Sequence, residues 1–317
     1  MAADGIPSAL PAAITIEDLH PDVLTRTLRL LDGPALAAAS CATSRLRALA
    51  AQPCLWEDLC LSAWPSLRDP RLRDLLPSFP ASHRSFFSDA FPFPDPSEES
   101  RPCQDAPAVL ISSIDLFHEG EHVFSRVLET DARDPWFLGS PFRIDALDRK
   151  DEGSTLAAPI SPEDLTLSWV VIDPARGRAV NLSSRRPVSV ERHWYTGEIQ
   201  VRFAVVLGGG EAAANAVVAC GEETMQPREV NLTVQDVDGM CLNGKESLVV
   251  LRGAMKGRRM GWGGEGEAEA RRRYAEYAAA KQERKERRMR REGRLDMCCI
   301  VLGVSLFLGL FAFAALR

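Results

Sequence analysis

The sequence IQVRFAV at residues 199–205 decides the fold of the central part of this 317-residue chain. Its large apolar side chains recur at every second position, and the polar residues Gln200 and Arg202 stand between them. The sequence VNLTVQ at residues 230–235 repeats this pattern. Because successive side chains of a β-strand point to opposite faces, the period of two predicts strands with one buried face.

Further short strands are predicted on both sides of these two. Turn signals such as Asp238-Gly239 and Asn243-Gly244 separate several of them. Short strands without long helices between them favour an antiparallel β-sandwich-like domain over a parallel α/β sheet. This β-rich domain is predicted to cover residues 107–253, and its other strands are expected at 109–117, 122–128, 166–172, 216–220 and 247–251.

Charge is distributed unevenly along the chain, whose formal net charge is −6. Residues 271–294 contain eleven Lys or Arg and four Asp or Glu, a local charge of +7, so the remainder carries −13. Most residues from 265 to 294 are strong helix formers, and no apolar stripe is sustained among them. We therefore predict a Gly-rich hinge followed by a basic, solvated helical stalk, together covering residues 254–296.

An uncharged apolar segment, residues 297–316, follows the basic run. Twenty helical residues extend about 30 Å, the thickness of a bilayer's hydrocarbon core, so we predict a transmembrane helix rather than a buried core helix. Lys and Arg precede this segment, and only Arg317 follows it. The positive-inside rule then predicts a single-pass, tail-anchored protein whose N-terminal body is cytosolic. Cys298 and Cys299 at its edge are either acylation sites or ordinary membrane-helix thiols.

The N-terminal part of the chain is predicted to be helical. Residues 14–67 show helix-start chemistry, apolar residues at helical spacing and breaks at Gly33-Pro34 and Pro53, which together indicate a bundle of three short helices. Such a bundle exposes more apolar surface than it can bury, as expected of a module that docks on a partner. Residues 68–106, which end in a Pro-rich stretch, are assigned to a linker region.

No pattern of a catalytic or metal site is present. The histidines stand outside nucleophile and metal motifs, and Gly208-Gly209-Gly210 lacks the Lys and Ser/Thr that phosphate binding needs. The eight cysteines form no CxxC pair. We expect neither a cofactor nor a metal, and because the basic run adjoins an apolar helix we assign it to anionic lipid rather than to nucleic acid.

A polar stretch within the β-rich domain, residues 183–194, is the one candidate for ligand contact. Arginine and tryptophan are frequent anchors of protein interfaces. The alternative is a hairpin with solvated charges and one buried tryptophan. The possible substrate-binding residues are Arg185, Arg186, Arg192 and Trp194.

The helical module resembles an F-box. Leu19-His20-Pro21-Asp22-Val23-Leu24 matches the start of that motif, and Leu55-Trp56 matches its end. Segments such as Trp64-Pro65-Ser66 and residues 181–190 extend the similarity to uncharacterised plant F-box proteins over residues 15–253. The resemblance assigns adaptor binding to Leu19, Pro21, Val23, Leu24, Leu28, Leu31, Leu36, Leu55 and Trp56.

The resemblance implies the role of a substrate receptor in an SCF-type ubiquitin ligase. The N-terminal bundle would bind a Skp-type adaptor and, through it, the cullin core. The β-rich domain would then hold a protein substrate at a membrane. Catalysis would belong to other subunits, so the chain itself is expected to be a non-catalytic adaptor. The alternative is a membrane-anchored binding or lectin-like module that recruits no ligase.

Overall fold

The chain divides between Ala63 and Trp64 into two compact units. The computed structural model describes residues 16–96, 107–148, 161–221, 226–261 and 264–315. Several predicted positions lie outside the described residues: the start of the helical module at 14–15, the second half of the linker at 97–106, part of the hinge at 262–263, and Leu316.

The N-terminal unit is helical, as predicted, but it contains four α-helices within its described residues instead of three. The segment between the predicted breaks at Gly33-Pro34 and Pro53 forms two helices instead of one, because Thr43 has an extended backbone with φ −142° and ψ 161°. The Thr43 hydroxyl caps the next helix by accepting a hydrogen bond from Leu46 N at 3.2 Å. The helices are α1 (Pro21–Leu28), α2 (Gly33–Ala42), α3 (Ser44–Ala50) and α4 (Pro53–Ala63).

The second unit contains two antiparallel sheets, which confirms the predicted antiparallel architecture. Side chains from both sheets, including Ile114 and Trp169 from one and Phe203 and Leu232 from the other, share a single hydrophobic core. The first sheet has the order β2-β1-β4-β5 and the second the order β3-β9-β8-β7-β6. The strands are β1 (Val109–His118), β2 (Glu121–Asp131), β3 (Arg143–Leu147), β4 (Leu165–Asp173), β5 (Arg178–Asn181), β6 (Ser189–Arg192), β7 (Ile199–Leu207), β8 (Ala212–Cys220) and β9 (Pro227–Asp236).

The strand predicted at residues 247–251 is wrong, because this segment belongs to a helix, Gly244–Lys256. Asn243, which we took for a turn residue, is its N-cap: the Asn243 side chain accepts from Glu246 N, and the Glu246 side chain accepts from Asn243 N. This reciprocal capping box starts a helix. The buried residues Leu248, Leu251 and Met255 then follow a helical period.

Part of the predicted linker, residues 70–90, is folded into the second unit. It forms helices α5 (Pro70–Leu75) and α6 (Ser82–Ala90). Phe86 and Phe87 of α6 are buried, and the Trp64 ring meets them edge-on at 5.2 and 5.7 Å between ring centroids. Trp64 Nε1 also donates to Ser168 Oγ at 2.8 Å. These contacts anchor residues 64–90 to the first sheet. The next helices are α7 (Pro135–Gly139), α8 (Gly244–Lys256) and α9 (Gly264–Ala315).

A buried carboxylate, Asp115 on β1, holds the segment after Trp64 to the first sheet. Asp115 accepts from the backbone N–H of Ser66 at 2.8 Å and from its hydroxyl at 2.5 Å. Ser125 on β2 donates to the same carboxylate. Burial holds the pKa of Asp115 above its usual range, although these hydrogen bonds and nearby His122 oppose that shift.

The described residues of the predicted hinge are fixed by Arg259. Its guanidinium donates to Ala179 O at 2.9 Å, to Asp89 O at 3.0 Å and to Ala254 O at 2.7 Å, and lies 3.7 Å from the Asp89 carboxylate. Arg178 on β5 binds the same carboxylate at 2.7 Å. The described residues before the gap at 262–263 are thus tied to α6, β5 and α8.

Helix α9 begins on the second sheet and ends as an exposed apolar helix. Tyr277 is buried, and its hydroxyl donates to Asp236 O at 2.6 Å. Lys281 Nζ donates to Gln235 Oε1 at 2.9 Å and lies over Gly239, whose φ of +85° and lack of a Cβ leave room for it. The side chains described from Gln282 to Ala315 are all exposed. Only the second part of the predicted stalk is therefore solvated.

We predict that Arg259→Met destabilises the second unit. The substitution keeps an apolar stem but leaves the carbonyls of Ala179 and Asp89 without this donor, and loss of one partner of a buried charged cluster costs about 3 kcal/mol. Urea unfolding of the purified protein, followed by tryptophan fluorescence, measures the loss. Arg228→Met at an exposed position is the control. Equal unfolding midpoints for the two variants would contradict the role of Arg259.

The second fold prediction concerns the pH dependence of stability at Asp115. Because its folded pKa is raised, ionisation in the folded state is disfavoured, and the contribution of this group to stability decreases as pH rises from about 4 through the folded pKa. Asp115→Asn removes this titration. The free energy of unfolding of the variant, relative to that of the native protein, should therefore increase as pH rises across this interval. A difference that stays constant or changes in the opposite direction would show that the Asp115 pKa is not raised.

Candidate functional site

An exposed apolar surface lies on the N-terminal unit, around α1. Ile16, Leu19, Val23 and Leu30 have exposed fractions of 53%, 38%, 51% and 86%. These residues come from α1 and from the segments just before and after it. Arg45 on α3 holds the first segment in place by donating to Leu19 O at 2.7 Å. We call these four residues the α1 surface.

The structure divides the predicted adaptor-binding residues into two groups. Leu19, Pro21 and Val23 are exposed, and Leu31 is half-buried. The others are buried in the helical unit, where Trp56 Nε1 donates to Ala50 O at 2.7 Å. They stabilise the unit, and two of them, Leu24 and Leu28, are the i,i+4 pair that α1 turns inward. The buried residues are Leu24, Leu28, Leu36, Leu55 and Trp56.

Sequence reasoning missed Ile16 and Leu30, the two most exposed members of the α1 surface. The sequence contained a signal for both: they are large apolar residues that lie next to the helical stripe of Leu24, Leu28 and Leu31 but outside it. The sequence shows that the residues are apolar. Only the packing of the four helices shows which of them remain in contact with water.

Arg185, one of the possible substrate-binding residues, is turned into the protein. Its guanidinium lies 4.0 Å from the Phe91 ring centroid and 5.1 Å from that of Phe93, and it donates to Phe91 O. Burial lowers the pKa of Arg185, while the charge of Glu267 opposes the shift. This arrangement fixes residue 185 to the end of α6, so Arg185 is not presented to a ligand.

The other residues of the polar stretch are at the surface. Arg186 is exposed and lies 3.6 Å from Glu267 on α9. Arg192 ends β6, and Trp194 in the following turn has an exposed fraction of 90%. Tyr195, which sequence reasoning did not select, is 79% exposed beside it. The structure thus brings Arg192 and Trp194 together at a hairpin tip and leaves Arg185 in the interior.

The third exposed feature is the C-terminal part of α9. Three ion pairs at i,i+4 spacing line its basic segment, for example Arg287 with Glu283 at 2.6 Å and Arg288 with Glu292 at 2.9 Å. Beyond them, large apolar side chains such as Leu302 and Phe307 are 63% and 68% exposed. This part of α9 is long and apolar enough to cross a membrane.

The described residues hold no cluster of three or more His, Cys, Asp or Glu side chains placed to bind a metal ion. Two thiols are deeply buried: burial raises the pKa of Cys220 to about 12 and also raises that of Cys60. Both thiols are therefore protonated at neutral pH and serve as core residues.

Three full-length relatives match this chain. F-box protein At2g27310 from Arabidopsis thaliana is 38% identical over 329 residues, covering 96% of this chain and 97% of the relative. Probable F-box protein At2g36090 is 40% identical over 331 residues and covers 98% of each chain. F-box protein At3g44326 is 38% identical over 307 residues, with 88% and 83% covered. The second and third relatives also come from Arabidopsis thaliana.

No family model and no solved structure matches the chain. The identity to the three relatives, spread over nearly the whole length, is nevertheless sufficient to assign the family. The chain belongs to the plant F-box protein family, which confirms the resemblance noted in the sequence.

Proposed function

We propose that this protein is the substrate-receptor subunit of an SCF-type ubiquitin ligase and acts at a membrane. The observation that carries the proposal is the α1 surface, an exposed apolar surface on the N-terminal unit of an F-box family member. In this proposal the α1 surface binds a Skp-type adaptor, which connects the chain to the cullin core. The second unit binds the protein substrate.

The energetics of the α1 surface support its burial on a partner. Fully burying one Val, Leu or Ile side chain stabilises a complex by about 1.5–3 kcal/mol. Val23 and Leu30 are more than half exposed, so contact with an adaptor removes them from water at no cost to the helical core. Leu24 and Leu28, already buried between the helices, gain nothing further from a partner.

The proposed role requires no catalytic group in this chain. A receptor that holds a substrate beside a loaded conjugating enzyme acts by raising the local concentration of the two reactants. F-box proteins are generally non-catalytic adaptors of this kind. The second unit, a two-sheet body with exposed hairpin tips, is suited to binding and is assigned that role.

We further propose that residues 297–316 anchor the protein in a bilayer and that the body lies on the cytosolic side. The exposed apolar side chains of α9 support insertion, because an apolar helix of this length is unfavourable in water. The basic residues that precede them support the orientation and favour anionic lipid headgroups. The contacts of Tyr277 and Lys281 tie the start of the same helix to the second sheet.

The proposed division of the chain follows the structure rather than composition. Residues up to Ala63 form the adaptor-binding unit, and the substrate-binding unit begins at Trp64. Residues 264–281 of α9 belong to that unit because they pack on its second sheet. Residues 282–296 then form the solvated stalk, and residues 297–316 the membrane anchor.

Adaptor binding is tested by charging the α1 surface. The double substitution Val23→Asp, Leu30→Asp should weaken binding to a purified Skp-type adaptor at least a hundredfold, because two carboxylates would have to be desolvated in an apolar contact. Binding is measured by calorimetry on the full chain in detergent. Cys54→Asp, at an exposed position in the first turn of α4, is the matched control and should bind normally.

The same experiment separates this proposal from a binding module that recruits no ligase. Circular dichroism of the double variant must show intact helices, since both substituted positions are exposed. If the native chain binds no Skp-type adaptor, the ligase role is excluded, and the membrane-anchored binding module becomes the better description. Normal binding by the double variant would place the adaptor on another surface.

Membrane attachment is tested by removing residues 297–317. The truncated protein should move to the soluble fraction, while the full chain should resist carbonate extraction. A Cys298→Ser, Cys299→Ser variant distinguishes the helix from acylation, and it should remain membrane-bound because the apolar helix itself anchors the chain. Protease treatment of intact vesicles should digest the body, which would lie on the outer, cytosolic face. A truncated protein that stays with the membrane would exclude the proposed anchor.

A further inference from the structure

The hairpin between β6 and β7 ends in a pair of exposed aromatic rings. The Trp194 and Tyr195 centroids lie 5.6 Å apart in an edge-to-face arrangement. Leaving two such side chains in water is costly unless a ligand covers them. Val190 on β6 adds a third exposed apolar side chain, with an exposed fraction of 38%. We call these three residues the aromatic tip.

The aromatic tip is held by a set of polar contacts within the turn. His193 N donates to Glu198 O at 2.8 Å, and Gly197 N donates to His193 O at 2.9 Å with a φ of +71° at Gly197. Thr196 Oγ1 donates to Glu198 Oε2 at 3.2 Å. These bonds order the backbone of the turn that carries the two rings. A preformed surface loses little conformational freedom when it binds.

Strand β6, which leads into the turn that carries Trp194 and Tyr195, is an edge strand of the second sheet. It pairs with β7, and among the described residues no strand pairs with its other side. The register places Val190 opposite Val201, and His193 donates to Glu198 O further along the hairpin. Because amides alternate along an antiparallel strand, the N–H group of Val190 faces away from β7. An extended chain is the natural partner of such an edge.

The position of the aromatic tip in the second unit argues against the bilayer as its ligand. Tyr277 of α9 packs near Val206, and Arg284 lies 3.8 Å from Asp238, at the end of the sheet where α9 leaves it. The aromatic tip lies beyond Ile199, at the other end of β7. Seven strand residues separate the two ends by about 23 Å at 3.3 Å each. The tip therefore faces away from the proposed membrane.

We infer that the aromatic tip and the outer edge of β6 at Val190 bind an extended peptide segment of a soluble protein. The segment adds a strand to the second sheet through the outward amide of Val190, and places a large apolar side chain against Trp194 and Tyr195. In the proposed function this segment belongs to the ubiquitination substrate. The inference thus rests on that function and specifies how its substrate is recognised.

A random peptide library displayed on phage, panned against the full chain in detergent, provides the probe. Selected peptides should contain a large apolar residue and bind with a dissociation constant that calorimetry can measure. Trp194→Ala, Tyr195→Ala should weaken their binding at least tenfold. Trp136→Ala removes another exposed tryptophan, 79% exposed and outside the hairpin, and should leave binding unchanged.

Strand pairing has its own pair of variants. Val190→Pro removes an outward N–H without removing a donor to β7. It should weaken the binding of the selected peptides at least tenfold. Val190→Thr keeps the N–H and the branched shape, and should bind within a factor of about three. Equal binding by the proline and threonine variants would overturn strand addition, and failure to select any peptide that depends on the aromatic tip would overturn the inference as a whole.

Other occupants give distinct results. If brominated lipids quench the tryptophan fluorescence of the reconstituted protein and Trp194→Phe abolishes this quenching, the aromatic tip contacts the bilayer and the inference is wrong. Dimerisation that the tip variants abolish would likewise overturn it. Adaptor binding by the same preparations separates this inference from the proposed function: loss of adaptor binding with intact peptide binding contradicts only the ligase role, and the reverse contradicts only the peptide site.

Discussion

The cluster of Arg259, Asp89 and Arg178 is the constraint on which the second unit depends. One carboxylate and two guanidinium groups join α6, β5 and the segment before α9, three parts of the chain that are distant in sequence. The planar guanidinium of Arg259 also serves several backbone carbonyls at once, which an ammonium group cannot do with the same geometry. Further along the chain, Tyr277 and Lys281 dock the start of α9 on the second sheet.

The docked start of α9 gives the second unit two ends with different proposed roles. At one end of β7, Tyr277 and Lys281 dock α9 before it continues as an exposed basic and apolar helix. At the other end, the β6–β7 hairpin presents the aromatic tip. A single sheet thus separates the proposed membrane attachment from the proposed peptide site. A receptor with this arrangement holds its substrate away from the bilayer.

Much of the fold could be predicted from the sequence, and the errors have physical causes. β7 and β9 show their alternation because each has one face in the core and one outside it. β3, β5 and β6 were missed because four or five residues are too few to display a period. The α8 segment was taken for a strand because Leu248, Val249, Val250 and Leu251 form an apolar run, which periodicity alone does not assign. Its capping residues, Asn243 and Glu246, carried the correct signal.

The candidate site was less predictable than the fold. Leu24 and Val23 are adjacent and equally apolar, yet one is 4% exposed and the other 51%. Arg185 and Arg192 are chemically identical, yet Arg185 lies over two phenylalanine rings. Tyr274 and Tyr277 occur at helical spacing within a basic helix, but nothing in their surroundings shows that the second sheet lies beneath them. Each outcome depends on residues far away in the chain.

By itself the sequence determined the strand periods, the charge step near residue 270, the apolar segment 297–316 and the family. These are local properties, because backbone geometry and solvation act on neighbouring residues. Only the tertiary structure decided which apolar residues of the N-terminal unit stay exposed, that Arg259 ties the residues just before the gap at 262–263 to the second unit, and that Trp194 is exposed while Arg185 packs on two phenylalanine rings. Those are outcomes of packing, in which a side chain is buried or exposed according to what long-range contacts bring against it.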